Sequence, residues 1–142
     1  DLDLGLDKYQ KGLRYLNEFP DPGENDPKEL GEQMKALRFT LHSNSSLLAN
    51  KLQKYRQAQN WATYALQVAD SANAKDADKA KAYYRAVAHG GLKEEDEALK
   101  DLQEAEKLAP GDAGILNEIA KVKKTVKDRE AKDKAAAKKF FS

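Results

Sequence analysis

The chain has 142 residues, 35% of them charged, with a formal charge of +1 and no cysteine, which fits one domain or a short repeat array and excludes a disulfide scaffold or thiolate metal site. Mean hydropathy is −0.85 and no apolar run approaches ~18 residues, so no membrane span is expected, and no charged-then-apolar leader reads as a signal peptide. The location this implies is the cytoplasm or nucleus, with the cytoplasm the expectation.

Good helix formers (Ala, Leu, Lys, Glu and Gln) dominate between a few Pro/Gly clusters, and β-branched residues are scarce. The fold class is therefore all-α, with helices predicted at 3–18, 28–53, 55–69, 76–89, 94–108 and 112–139. The first carries Gly5 and Gly12, seven apart. A connector follows through Phe19-Pro20-Asp21-Pro22-Gly23; its acids lack the alternating ligands of a calcium loop, so it reads as solvated. Pro27 then suits a helix start. Within the second helix, Asn44-Ser45-Ser46 matches a glycosylation acceptor, which is set aside because it is helical and no export signal precedes it.

The third helix repeats the seven-residue spacing with Ala58 and Ala65, and the fifth does so with Ala98 and Ala105. Lys51-Leu52-x-x-Tyr55-x-x-Ala58 aligns with Gly91-Leu92-x-x-Glu95-x-x-Ala98, which puts a helix–turn–helix boundary at the same point twice. Small residues there let antiparallel helices approach closely, and each hairpin must bury its remaining apolar stripe on a neighbour. The alternative is an unrelated helical bundle with Ala at its close crossings. Gly111-Asp112 reads as a stop followed by an N-cap for the last helix. There, Ile115, Ile119, Val122 and Val126 make an apolar seam that caps the array, and beyond it Lys127 to Lys139 is nearly all charge and Ala. From Asn117 to Ser142, nine Lys/Arg stand against four Asp/Glu, so only this tail is basic.

No nucleophile elbow, phosphate loop or His-x-x-x-His pair occurs. His42 and His89 stand far apart and read as structural; no cofactor or metal is expected. Trp61, Tyr64, Tyr83 and Tyr84 could stack on nucleic acid, but no basic stripe accompanies them, and core positions explain them better.

The paired helices resemble the tetratricopeptide repeat, although the spacings are longer than its ~34 residues. Lys11-Gly12-Leu13-Arg14-Tyr15, Lys81-Ala82-Tyr83-Tyr84-Arg85, Ala98-Leu99-x-Asp101-Leu102 and Ala137-Lys138-Lys139-Phe140-Phe141-Ser142 are similar, over essentially the whole chain, to the C-terminal repeat domain of the cyclophilin 40 family in its fungal form. The resemblance implies helical hairpins stacked as a right-handed superhelix. Residues 1–19 would be the second helix of repeat 1, 28–70 repeat 2, 76–109 repeat 3 and 112–140 a long capping helix. The first helix of repeat 1 and the cyclophilin domain would then lie outside the chain, and their loss would uncover Leu6, Leu13 and Leu16 and favour a homodimer.

The resemblance also implies a carboxylate clamp for the Met-Glu-Glu-Val-Asp tail of heat shock protein 90. Asn44 matches its second-repeat position, and Lys81 with Arg85 its third-repeat pair; the first-repeat Lys and Asn have no counterpart. The chain itself would not be an enzyme, the peptidyl-prolyl isomerase activity of such proteins residing in the absent domain. Heat shock protein 70 tails, and calmodulin on the basic last helix, are the other partners implied. From composition alone, Lys81 and Arg85 are an ordinary solvated i, i+4 pair with no acid at that spacing. Arg85 lies 13 residues before Ala98, whereas Asn44 lies 14 before Ala58. Either the His89-Gly90-Gly91 turn absorbs the missing residue and the pair stays in the groove, or the helix does and the pair rotates by about 100°.

Overall fold

The computed structural model describes residues 1–18, 23, 25–87 and 95–142. Six helices follow one another: α1 (Leu2–Glu18), α2 (Lys28–Lys51), α3 (Tyr55–Val68), α4 (Asp76–Ala86), α5 (Glu95–Leu108) and α6 (Ala113–Phe140). Among the described residues there is no strand, so the fold is all-α. Each helix packs on the next, and α2 also packs on α4, the pattern of stacked helical hairpins. The expected extension of α4 to residue 89, the His89-Gly90-Gly91 turn and most of the acidic connector lie outside the described residues.

The small residues spaced by seven mark the helix crossings. A Cβ added to Gly5 would stand 3.1 Å from Leu48 Cδ1, and one added to Gly12 would stand 3.1 Å from Leu41 Cδ1, so both glycines admit leucines of α2 into α1. Ala58, Ala65 and Ala105 are wholly buried, and Ala98 nearly so. This close approach corrects one expectation: Leu6, Leu13 and Leu16 are not uncovered but are each at most 4% exposed, because they face inward on the side of α1 that meets α2. Arg38 of α2 reinforces the junction, its Nη2 donating to the Leu16 carbonyl at 3.0 Å, where the end of α1 leaves an unpaired acceptor.

Two clusters form the core. Phe39, Ala65, Ala69 and Ala82 join α2, α3 and α4, while Ala80, Val87, Ala98, Leu102, Ala105, Ile115 and Ile119 join α4, α5 and α6. Leu102 is wholly buried, which contributes about 1.5–3 kcal/mol. Tyr83 and Tyr84 pack on this second cluster as expected of core aromatics, whereas Tyr64 is nearly half exposed.

Turn chemistry sets the ends. Gly111 takes φ +79°, a conformation costly to residues with a Cβ, and Asp112 caps α6 through a 3.0 Å bond accepted from Ile115 N–H. Pro27 is the residue before α2 rather than its first residue. The α2–α3 turn needs a left-handed residue and has Gln53 there, with φ +59°. The seam runs on to half-buried Val126, and from Lys127 onward every residue of α6 is exposed, Arg129 alone reaching back to Glu95 among the described ion pairs. At ~1.5 Å per residue, its 28 residues make a rod of about 42 Å.

Candidate functional site

The α2–α4 packing brings Lys81 and Arg85 to the side of Asn44. Asn44 on α2 and Lys81 with Arg85 on α4 line one hollow of about 240 Å³, whose walls include Phe39, Thr40, Ser43 and Asp78. The helix therefore does not carry Lys81 and Arg85 away from Asn44, and α4 runs unbroken from Asp76 to Ala86.

The two cations stand in different surroundings. Lys81 is largely exposed, its Nζ 3.9 Å from Asp78 Oδ1 at i−3. The i, i+4 spacing does not reach this acid, which stands three residues before Lys81. At that length and exposure the pair contributes little. Arg85 is half-buried. Its Nη1 donates to both the Ser43 carbonyl (2.9 Å) and the Ser43 hydroxyl (2.7 Å). Its own carbonyl accepts from Asn50 Nδ2 at 3.2 Å. Among the described residues no carboxylate forms an ion pair with it. Burial lowers its pKa from the ordinary guanidinium value, a shift that nearby Asp78 opposes; Arg85 still carries its charge at neutral pH, since its starting value is so high.

A cation without an acid partner beside a lysine and an amide can accept a carboxylate. The Ser43 bonds are made by Nη1, and the opposite Nε–Nη2 edge of a guanidinium can grip two carboxylate oxygens side by side. Next to this hollow lies a larger and more apolar one of about 530 Å³. Leu47 and Asn50 of α2, Tyr84 and Arg85 of α4 and Ile115 of α6 line it, and Lys81 and Arg85 belong to both. The sequence reading did not reach this second space, because it needs three helices to close it. Ser43 and Asn50 were missed for the same reason: a small polar residue on a helix has no signal of its own partner across the interface.

His42 belongs to neither hollow. Its ring lies 5.6 Å from those of Trp61 and Tyr64, centroid to centroid, and the three line a separate depression against α1. Burial, helped by the Arg38 charge, holds its pKa at about 4, so it is neutral at pH 7. Among the described residues no group of three or more His, Cys, Asp or Glu is placed to hold a metal ion, and no helix is long and apolar enough to cross a membrane.

No family model matches the chain. The chain is similar to curated proteins called peptidyl-prolyl cis-trans isomerase D from two strains of Cryptococcus neoformans, at 36% identity over 97% of this chain and 37% of each relative. It is likewise similar to peptidyl-prolyl cis-trans isomerase CYP7 of Saccharomyces cerevisiae, at 35% identity over 95% of this chain and 34% of that protein. The chain spans about a third of the length of the curated relatives it matches. It is thus an all-helical homologue of one part of proteins named as peptidyl-prolyl cis-trans isomerases.

Proposed function

We propose that the chain is the peptide-docking, co-chaperone part of a cyclophilin 40-type immunophilin, a tetratricopeptide repeat domain that takes the acidic C-terminal tail of heat shock protein 90 on Asn44, Lys81 and Arg85. The observation that carries the reading is the shared hollow: an amide and two cations from two helices converge there, and the half-buried Arg85 has no ion-pair partner among the described residues. Each charge-assisted hydrogen bond made to a carboxylate in such a place is worth about 1.5–3 kcal/mol. The homologues' names support an isomerase parent protein; the reading further puts the proline-isomerising activity outside these residues and its place of action in the cytoplasm. Calmodulin is a second candidate partner, on the solvated basic end of α6, where Phe140 and Phe141 are more than 80% exposed.

The test is a calorimetric titration with the Met-Glu-Glu-Val-Asp peptide, the same peptide amidated at its C-terminus, and a Lys81→Ala, Arg85→Ala variant. Binding that is lost on amidation and in the variant is expected. Equal binding of acid and amide, or none of either, overturns the reading.

A further inference from the structure

We infer that Ser43 is a positioning residue for Arg85, presenting its guanidinium to the carboxylate of an acidic ligand. The inference rests on the carboxylate-reading function proposed above and adds to it a residue that does not itself touch the ligand.

Ser43 precedes Asn44 on α2 and is only 5% exposed. It supplies two acceptors, its hydroxyl at 2.7 Å and its carbonyl at 2.9 Å, to the same nitrogen of Arg85 on the facing helix. A guanidinium is planar, so holding one nitrogen at two points removes both the swing of the side chain and much of the twist about its last bond. Two turns further along α2, Asn50 holds the Arg85 main chain at 3.2 Å, so the residue is fastened at its backbone and its tip by one helix. Both partners at the tip are neutral. The charge is therefore oriented but not cancelled, whereas a carboxylate at position 43 would do both. Binding then spends little entropy on fixing the arginine, which in a free chain is among the costliest side chains to order. Lys81 has no comparable support, since its single pairing with Asp78 is long and exposed. Arg85 is the directional element of the hollow, and Ser43 sets that direction.

The experiment titrates the full chain and three variants, Ser43→Ala, Arg85→Ala and the double variant, with the acidic pentapeptide as free acid and as amide. Ser43→Ala is expected to weaken the free acid about tenfold and to shrink the acid-to-amide affinity ratio by a similar factor, and to have no further effect once Arg85 is already alanine. Ser43→Cys, which keeps the shape but offers a weak acceptor, is expected to fall between, and guards against a folding defect of the alanine variant. An acid-to-amide ratio unchanged in Ser43→Ala overturns the positioning role while leaving the carboxylate reading intact. An equal loss from Ser43→Ala with and without Arg85 also overturns it, because Ser43 would then act through something other than the arginine. A wild-type chain that does not distinguish acid from amide overturns the functional reading, and this inference falls with it.

Discussion

Arg129 on α6 reaches back to Glu95 at the first residue of α5, with Nη1 2.7 Å from Oε1. The contact lies beyond Val126, where the apolar seam of α6 has ended, and among the described residues it is the last ion pair of that helix before its solvated end. The Glu95 backbone amide and then Arg129 hold the Glu95 carboxyl below the usual carboxylate range. A depressed carboxyl stabilises above its unfolded pKa, and that stabilisation is lost as pH falls through the folded value. Arg129→Ala, or acidification below the ordinary carboxylate range, is expected to raise amide hydrogen exchange over residues 123–140 while barely moving the global melting temperature. Both side chains are solvent-accessible, so high salt is expected to act in the same direction.

His42 makes a second pH prediction. Its folded pKa of about 4 lies below the ordinary histidine value of 6.5, so the unfolded chain takes up the proton first as pH falls. Stability is expected to fall between about pH 6.5 and 4 and then level off as far as this residue is concerned, by about 1–2 kcal/mol once its partial exposure is discounted. His42→Phe keeps a ring against Trp61 and Tyr64 and is expected to flatten that slope in urea titrations at several pH values.

Two neighbouring serines are expected to respond oppositely to alanine. Ser46 is wholly buried and donates to the Ala58 carbonyl at 2.7 Å, so Ser46→Ala is expected to cost about 1 kcal/mol. Ser45 is equally buried, but its hydroxyl has no partner among the described residues, so Ser45→Ala is expected to be neutral or stabilising by up to ~1 kcal/mol. Denaturant midpoints at unchanged m-value check both; a loss of about 1 kcal/mol from Ser45→Ala would reveal a partner for that hydroxyl.

Gly12 sets the separation of α1 from α2. Its alanine variant gains about 1 kcal/mol in helix propensity but places a Cβ 3.1 Å from a flexible leucine tip, so it is expected to change stability by less than about 1 kcal/mol. Gly12→Val adds branches that Leu41 cannot clear and is expected to destabilise by about 1–3 kcal/mol in thermal unfolding.

Asp78 shares the hollow with Lys81 and Arg85. If an acidic peptide binds there, Asp78→Asn is expected to tighten it by about 2- to 5-fold at low salt, with the gain fading as salt rises. Weaker binding by the variant would place the ligand's carboxylates elsewhere.

Periodicity and punctuation carried the helices. Leu, Ala, Lys and Glu in long runs, broken by Pro/Gly clusters and by Gly111-Asp112, place six helices within a few residues of those in the structure. The seam Ile115, Ile119, Val122 and Val126 likewise foretells which part of α6 is held and which projects. These are local properties, set by backbone propensity and by the 3.6-residue period. The glycine and alanine pairs spaced by seven also announced close crossings, because only small side chains allow them. Sequence further singled out Asn44, Lys81 and Arg85, but only through a resemblance, since 25 Lys and Arg make any one basic pair unremarkable.

What required the tertiary structure was everything that depends on a partner far along the chain. Whether Lys81 and Arg85 meet Asn44 depends on the rotation of α4 against α2, which a one-residue shortage between Arg85 and Ala98 leaves ambiguous in sequence. That Ser43 holds Arg85, 42 residues away, follows from packing, because a hydroxyl declares no direction until its helix has a neighbour. Leu6, Leu13 and Leu16 look like an uncovered stripe when α1 is read as half of a hairpin, yet α1 turns that stripe inward because Gly5 and Gly12 let α2 come close. The period of a helix fixes which residues share a face; only the packing of helices decides what that face meets.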